Sequence, residues 1–430
     1  MKVKKEHQVY SYFRKLTLEN IRCFGKKQSV EFYKENQSYP NWTVIIGNNG
    51  TGKTTILRTL ALMLLFRREG SQWRKFVEGS YFLRKGDKPG LKPLIHIEVD
   101  SCREGEKVYT RQDFVLDVSK GDISLDGLSQ EPYLEESANG LRIFAYGASR
   151  TIAESALTKE QDFPAISLFD ENATLVNAEE WLVQADYLSM KDKNLAERRD
   201  QIKSLLMKLF KNEISDIEIT TQNQKPAVLF KTAHGWVNLH NLSLGYKTLI
   251  AWMVDFARGM FSKYPDSPNP LAEPAVLLID ELDLHIHPKF QYSLIDFLSK
   301  TFPKTQFIVT AHSPLIVQSA SQANIVLLKK RGDSIKIEND PAIVRNWRID
   351  QVLTSDLFGL KAAREPVAEK KIRRRRDLLR LQKRNEEQEK ELASLDEELQ
   401  DLPVTESYDA LKAIEIIKKA AQEIEDGTNR

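Results

Sequence analysis

The chain has 430 residues, 41% of them hydrophobic, and a formal net charge of +2. This length and hydrophobic content predict one large domain with an appendage, or two domains, and the near-neutral charge excludes a globally basic nucleic-acid-binding protein. Two cysteines exclude a disulfide framework, and the sequence has no apolar run of about 20 residues, so we expect a reduced, cytoplasmic protein without membrane association.

The first predicted elements are a β-hairpin or two edge strands within residues 10–32, followed by a buried strand, a glycine-rich turn and a helix within residues 44–64. The turn carries the spacing G-x-x-x-x-G-K-T, which is the phosphate-binding loop of nucleotide hydrolases. Its glycines allow successive backbone N–H groups to face a polyphosphate, and the helix adds the positive end of its dipole. The expected nucleotide-binding residues are Gly47, Asn48, Asn49, Gly50, Thr51, Gly52, Lys53, Thr54 and Thr55.

Two residues of this loop have specific expected roles. Lys53 is expected to reach the β- and γ-phosphates as a point charge, and the Thr54 hydroxyl is expected to coordinate Mg²⁺. The alternative is an ordinary glycine-rich turn between a strand and a helix, but the complete motif in this context is specific. The sequence therefore predicts binding of a nucleoside triphosphate.

Three further strands are predicted at 95–100, 108–118 and 141–146. The last one leads into a loop that contains Arg150, which we expect to be a surface or structural arginine rather than a phosphate contact. Residues from 151 to about 240 are predicted to form a mostly helical insertion. Within it, helices are expected at 178–188, capped by Asn177, and at 195–210, and strands at 214–220 and 227–232.

A second anion-binding motif is predicted at Asn241-Leu242-Ser243-Leu244-Gly245, which opens an apolar helix. Ser243 suits the N-cap position, and its hydroxyl with the N–H groups that follow could bind an anion. The same pattern alone fits a simple helix cap.

The segment that follows favours the anion-binding motif over a simple helix cap, because residues 275–279 are predicted to form an apolar strand that ends in Asp280 and Glu281. Asp280 is expected to lie in the Mg²⁺ coordination shell, and Glu281 to polarise an attacking water. A solvated turn at the strand end is the alternative.

Two loop motifs follow. The sequence Asp283-Leu284-His285-Ile286-His287 is compatible with a metal site, but we favour a loop that crosses to a partner subunit and aligns its active site. A strand at 307–310 then leads to His312, which we favour as a sensor of the γ-phosphate over a structural histidine.

This ordered series resembles the ATP-binding-cassette (ABC) ATPases, specifically the soluble branch that includes the structural-maintenance-of-chromosomes (SMC), RecF-like and overcoming-lysogenization-defect ATPases. The N-terminal Leu18-Glu19-Asn20-Ile21-Arg22-Cys23-Phe24 also resembles that branch. The resemblance covers residues 10–345 and implies an α/β fold, a two-lobed head with a mixed β-sheet core, a helical insertion and a C-terminal helical or coiled-coil appendage. Two departures are that Leu244 replaces the glycine of transporter signatures and that no Q-loop glutamine can be placed.

The resemblance also implies ATP and Mg²⁺ as cofactors and a head-to-tail dimer, or a higher homo-oligomer, around ATP. Ser243 and Gly245 of one subunit would complete the site that holds Lys53, Asp280, Glu281 and His312 of the other. The remaining implied nucleotide contacts are Arg22 and Asp283.

The C-terminal region, residues 346–430, is predicted to be a helical hairpin or coiled coil attached to a head of residues 1–345. We expect one unbroken helix from Glu365 to Leu402, with a net charge of +7 over 369–384 and −7 over 386–401. Its basic run, Arg373-Arg374-Arg375-Arg376, either pairs with acidic neighbours or contacts nucleic acid. The leucines Leu392, Leu395, Leu399 and Leu402 predict a helix–helix seam, with Pro403 ending the helix and a second helix following through 408–417.

The absence of a second D-x-D-type acidic cluster after residue 345 predicts that no nuclease is fused to this ATPase. A stand-alone ATPase of this kind is most similar to the Septu family of anti-phage ATPases, which also occur with retrons, followed by the PARIS ATPases. The resemblance implies control of a separate nuclease effector, with the HNH type favoured. The alternatives are a DNA-repair or recombination ATPase that binds DNA without a nuclease, and a nucleotide-bound scaffold with little turnover.

Overall fold

A computed structural model of the chain describes a defined set of residues: 9–33, 42–67, 70–84, 92–103, 109–118, 123–125, 132–152, 163–190, 192–211, 213–222, 225–320, 322–339, 347–355, 357–358, 360, 365–381 and 384–399. The chain divides into two compact units, Met1–Gly359 and Leu360–Arg430. The boundary expected at residues 345–346 lies outside the described residues and stays a prediction.

The first unit contains the strands and most of the helices. Its strands are β1 (Val9–Glu19), β2 (Gln28–Glu31), β3 (Trp42–Gly47), β4 (Leu94–Arg103), β5 (Thr110–Asp117), β6 (Ser124–Leu125), β7 (Ile143–Tyr146), β8 (Thr151–Ile152), β9 (Thr174–Leu175), β10 (Asp216–Gln222), β11 (Lys225–Thr232), β12 (Gly235–Asn238), β13 (Ala275–Ile279), β14 (Thr305–Ala311), β15 (Asn324–Arg331) and β16 (Ser334–Asn339). Its helices are α1 (Lys53–Ala61), α2 (Pro132–Gly140), α3 (Ile166–Phe169), α4 (Ala178–Ser189), α5 (Lys193–Leu209), α6 (Leu244–Lys263), α7 (Pro288–Thr301), α8 (Pro314–Ser319) and α9 (Ile349–Thr354).

A six-stranded sheet in the order β16-β15-β3-β14-β13-β7 forms the centre of this unit. Its strands are parallel except β16, which runs antiparallel to β15. Both faces are buried: Val44 and Ile46 of β3 belong to one core, and Ile45 belongs to the other. This is why the strands next to the predicted motifs have continuous apolar sequences rather than alternating ones. Because parallel strands end at the same edge, the loops after β3, β13, β14 and β7 lie together.

A second, antiparallel sheet has the order β2-β1-β4-β5-β6. The alternating apolar residues Phe13, Leu16 and Leu18 of β1 are buried in the core that also contains α1. This sheet includes the pairing of β1 with β2 that the N-terminal pattern predicts. The mixed α/β fold class and the central sheet are therefore confirmed.

The predicted insertion contains helices and a small antiparallel sheet, β10-β11-β12. The Asn177 side chain accepts hydrogen bonds from the backbone N–H groups of Glu179 and Glu180, at 3.0 and 3.3 Å, so the predicted cap of α4 is confirmed. Helix α6 follows this sheet and buries residues along most of its length, which anchors the Ser243 motif to the sheet core.

The second unit corrects the expectation of one unbroken helix from Glu365 to Leu402. The described residues form two helices, α10 (Pro366–Arg380) and α11 (Glu386–Leu399). The break has a local cause: the Asn385 side chain accepts from the Gln388 N–H at 2.8 Å, and the Gln388 side chain accepts from the Asn385 N–H at 3.0 Å. This reciprocal pair is a capping box that starts a new helix. Leu402, Pro403 and the predicted second helix lie outside the described residues.

The two helices pack through Leu378, Leu392 and Leu395. Their opposite charges also meet, because Arg374 pairs with Glu391 at 2.7 Å. Two further ion pairs join Lys371 to Glu398 and Arg375 to Asp396. The basic run thus faces acidic partners within its own hairpin.

The hairpin of α10 and α11 is expected to be less stable in acid and in high salt. Hydrogen bonds from Arg374 and Lys371 lower the pKa values of Glu391 and Glu398 below their ordinary value. Groups with a lowered folded-state pKa stabilise the fold above the unfolded pKa, about 4.3 for glutamate, and lose that contribution as the pH falls below it. Hydrogen exchange of the full chain should show lower protection factors at residues 366–399 near pH 4 than at pH 7. At pH 7, the protection factors should also be lower in 1 M salt than in low salt, because the screening length falls to about 3 Å in 1 M salt.

The matched variants for this prediction are Glu391→Gln and Glu387→Gln, both on α11, where Glu391 is half-buried and Glu387 is exposed. Glu387 has no ion pair among the described residues, so only Glu391→Gln should reduce protection at pH 7. Equal protection in both variants would contradict a stabilising role for the Arg374–Glu391 pair.

Candidate nucleotide-binding site

The predicted phosphate loop connects β3 to α1 and has the backbone of a turn that only glycine adopts readily. Gly50 and Gly52 have φ values of 75° and 92°. A Cβ atom on Gly52 would lie 2.5 Å from the Cys23 sulfur, so both the conformation and the space exclude a side chain there. The Thr51 hydroxyl donates to the Asn48 carbonyl at 2.8 Å and closes the loop.

Lys53, the first residue of α1, folds back over this loop. Its amino group donates to the carbonyls of Gly47 and Asn48, at 2.8 and 3.2 Å. Burial lowers the pKa of Lys53, and the carboxylates of Asp280, Glu281 and Asp283 oppose that effect. The amino group is therefore held where phosphate oxygens could replace the two carbonyls as its partners.

Asp280 lies at the end of β13 and is buried, with 6% of its surface exposed. One carboxylate oxygen accepts from the Thr54 hydroxyl at 2.6 Å, and the other accepts from the Thr310 hydroxyl at 2.6 Å. The two residues predicted to coordinate Mg²⁺ are thus in direct contact. A hydroxyl and a carboxylate are the hard oxygen donors that Mg²⁺ prefers, so this pair fits the ion.

Glu281 follows in the left-handed conformation, with a φ of 51°. Its N–H donates to the Thr310 hydroxyl at 2.7 Å. Thr310 therefore contacts both acids of the turn, although the sequence analysis did not single it out. The available signal was its position as a polar residue directly after the apolar residues 307–309 of the buried strand β14.

Arg150 is buried, with 2% exposed, and donates hydrogen bonds to the carbonyls of Asp280 and Glu281. It is therefore a structural arginine in this part of the fold, not a surface one. Burial lowers the pKa of Arg150 to about 10, against the opposing effect of the nearby carboxylates.

A cavity of ≈ 690 Å³ lies beside the phosphate loop. The predicted residues that line it are Arg22, Asn49, Gly50, Gly52, Lys53, Thr54, Thr55 and Glu281. Its other lining residues, which sequence reasoning missed, are Cys23, Leu83, Arg84 and Asp333. A larger cavity of ≈ 1010 Å³ lies between α5 and α7 and contains none of the predicted residues.

Arg22 is oriented by an aromatic residue that the sequence analysis also missed. Its guanidinium lies 4.3 Å from the centre of the Tyr81 ring and donates to the Tyr81 carbonyl at 3.1 Å. The Arg58 guanidinium lies 4.6 Å from the same ring centre. Cation–π contacts of this kind fix the direction of a long side chain at the cavity wall.

Ser243 and Gly245 lie at the start of α6, outside this cavity. Ser243 occupies the N-cap position but is exposed and makes no side-chain capping bond. Gly245 packs closely against the loop after β13, and a Cβ atom there would overlap the His285 carbonyl oxygen. Leu244 between them is 57% exposed.

Asp283 and His312 are brought together, but neither lines the cavity. The backbone N–H of His312 donates to the two Asp283 carboxylate oxygens, at 3.1 and 3.2 Å, and the His312 side chain is exposed. The His287 ring nitrogen accepts from the Lys289 N–H at 3.3 Å and caps α7. Within the described part of the chain, the one group with metal-compatible spacing is His96, Glu98 and Asp113, so Asp283, His285 and His287 form no such cluster.

Comparisons with known proteins agree with these motifs. A family model described as "AAA domain, putative AbiEii toxin, Type IV TA system" matches residues 136–318. Septu protein PtuA of Bacillus mycoides is 25% identical over 354 residues, which cover 81% of this chain and 45% of that protein. Retron Vc95 probable ATPase of Vibrio cholerae is 24% identical over 385 residues, with 74% of each chain covered.

The chain is similar in sequence to the Septu and retron ATPases, and its mixed α/β fold carries the ordered motif series of the ABC-type ATPases. The resemblance expected from its motifs is thereby confirmed. The chain spans less than half the length of the B. mycoides PtuA protein that it matches. Among solved structures, the SMC head domain from Thermotoga maritima is 17% identical with a TM-score of 0.42, over 76% of this chain and 98% of that chain. No helix in the described parts of the chain is long and apolar enough to cross a membrane.

Proposed function

We propose that this ATPase binds Mg-ATP between two head-to-tail subunits, hydrolyses it slowly and controls a separate nuclease effector in a cytoplasmic anti-phage defence complex. One observation carries the dimer part of the proposal. Lys53 and Glu281 line one cavity, whereas Ser243 lies at an exposed helix start outside it. A second copy of the chain can supply Ser243 and Gly245 to that cavity, and an N-terminal helix end suits a γ-phosphate.

Each residue of the site has a role in this proposal. Lys53 and the loop N–H groups bind the β- and γ-phosphates, and Thr54 with Asp280 holds Mg²⁺, which neutralises phosphate charge when bound. Glu281 accepts a proton from the attacking water. His312 contacts the γ-phosphate, and Asp283, which holds the His312 backbone, aligns the loop that reaches the partner subunit.

The partner in this proposal is a nuclease of the HNH type rather than DNA itself. The basic run was the main sequence feature that favoured a DNA-repair ATPase. However, Arg374 and Arg375 of that run pair with acids of α11, and so does the nearby Lys371. These pairs would have to break before the same side chains could neutralise phosphates. Free thiols at Cys23 and Cys102 are in keeping with a cytoplasmic location.

Native mass spectrometry of the protein, purified by affinity from its own host with and without ATP, tests this function. We expect a multimer of the ATPase that carries a small nuclease in stoichiometric amount. A bare dimer in both nucleotide states would contradict effector control and favour the DNA-repair alternative. A monomer that remains monomeric with ATP would contradict the head-to-tail site.

A further inference from the structure

The Asp280–Glu281 turn is held by partners from the strands β7 and β14 and from the loop after β7. The Asp280 N–H donates to the Tyr146 carbonyl at 2.9 Å, and the Glu281 N–H donates to the Thr310 hydroxyl at 2.7 Å. Arg150 donates through a single nitrogen, Nη2, to the carbonyls of both Asp280 and Glu281, the second at 2.6 Å. Every backbone polar group of the two acids therefore has a partner. Arg150 serves both carbonyls, and the Leu284 N–H also donates to the Glu281 carbonyl at 3.0 Å.

The turn needs such partners because Glu281 adopts a conformation that is unfavourable for its residue type. Its φ of 51° lies in the left-handed region, which residues with a side chain adopt only when their surroundings enforce it. Rotation of the peptide groups on either side would relieve this conformation. The same rotation would turn the Glu281 carboxylate away from the cavity that it lines.

Arg150 is built into the sheet edge that carries the turn. Strand β7 pairs with β13 in parallel, with Tyr146 opposite Ile279, so the loop after β7 lies beside the Asp280–Glu281 turn. Arg150 is fixed there by a hydrogen bond from its Nε to the Gly147 carbonyl at 2.9 Å. It does not line the cavity, so it acts on the site only through the residues that it holds.

We propose that Arg150 is a positioning residue for ATP hydrolysis: its guanidinium holds the carbonyls of Asp280 and Glu281 and thereby keeps the Glu281 carboxylate directed at the nucleotide cavity. This inference rests on the proposed role of Glu281 as the general base. Lysine keeps the charge of arginine but not its planar fork, so it cannot bind Gly147, Asp280 and Glu281 with the same geometry. A misplacement of about 1 Å can lower a rate about 10²-fold.

The experiment compares Arg150→Lys with wild type and, in a double-mutant cycle, with Glu281→Gln. Arg150→Lys should lower kcat by about 10- to 100-fold, while the Kd for a fluorescent ATP analogue stays within about 2-fold, because the phosphate loop is untouched. In the Glu281→Gln background the same change should leave the residual rate within about 2-fold, since no base remains to be positioned. Arg142→Lys is the control: Arg142 precedes β7, and its carbonyl accepts from the Val276 N–H at 2.9 Å near the start of β13, at the end of the strands away from the turn, so this variant should keep the wild-type kcat.

The outcomes separate this inference from the function on which it rests. A normal kcat in Arg150→Lys, with a slow Glu281→Gln enzyme, would overturn the inference alone. Equal slowing by Arg150→Lys in both backgrounds would also overturn it, because Arg150 would then act independently of Glu281. A Glu281→Gln enzyme at the wild-type rate would overturn the proposed base and this inference together. If circular dichroism shows that Arg150→Lys is unfolded, Arg150→Gln takes its place under the same criteria, because its neutral amide avoids a poorly placed buried charge.

Discussion

Replacing Glu281 with glutamine is expected to lower the rate of ATP hydrolysis by about 10²- to 10⁴-fold, the range for loss of a general base. Glutamine has nearly the same shape as glutamate but cannot accept a proton from water. Lys53, Thr54 and Asp280 keep their contacts, so ATP binding should remain. The variant should therefore accumulate as an ATP-bound dimer, measured by phosphate release and by light scattering after gel filtration.

Glu273→Gln is the matched control for this prediction. Glu273 accepts from the Ser267 hydroxyl at 2.7 Å, pairs with Lys304 and does not line the nucleotide cavity, so its replacement should leave turnover unchanged. Hydrolysis at the wild-type rate by Glu281→Gln would show that another group activates the water.

The sequence predicted most of the cavity because its chemistry is carried by contiguous residues. The phosphate loop is one stretch of chain whose glycine spacing determines its shape, and Asp280 and Glu281 end a strand whose apolar sequence marks it as buried. Once β3 and β13 are both parallel members of one sheet, their ends lie at the same edge. The contact between Thr54 and Asp280, residues far apart in sequence, follows from that topology.

The parts that escaped prediction depend on contacts between distant segments. Tyr81 and Asp333 reach the cavity region from a 3₁₀ turn and from the turn between β15 and β16, where no motif marks them. Arg150 resembled any arginine that follows a strand, and only the pairing of β7 with β13 gives it a role.

The C-terminal hairpin is a different case, because a local signal for it was present. Asn385 and Gln388 have the spacing of a capping box, but the continuous charged sequence favoured one long helix.

A mixture of Lys53→Ala and Ser243→Arg proteins is expected to regain ATPase activity that neither variant has alone. Lys53→Ala removes the phosphate contact, whereas Ser243→Arg leaves ATP binding intact but places a bulky side chain at the exposed start of α6. In a head-to-tail dimer of the two variants, one site combines both changes. The other site combines an intact Lys53 with an intact Ser243.

Random pairing at equal concentrations makes half of the dimers mixed, each with one intact site, so independent sites should give about a quarter of the wild-type activity. The control mixture joins Lys53→Ala with Glu281→Gln, whose changes lie in the same half of the site as each other. In a dimer of these two variants, each site takes that half from one of the two subunits, so each site contains one of the two changes. No site is intact, and this mixture should stay inactive. If neither mixture regains activity, although both variants are folded and Ser243→Arg binds ATP, then Ser243 and Lys53 do not meet across a dimer. Activity in the first mixture alone requires that one subunit binds the phosphates of ATP while its partner presents the start of α6, because no single variant chain contains both groups intact.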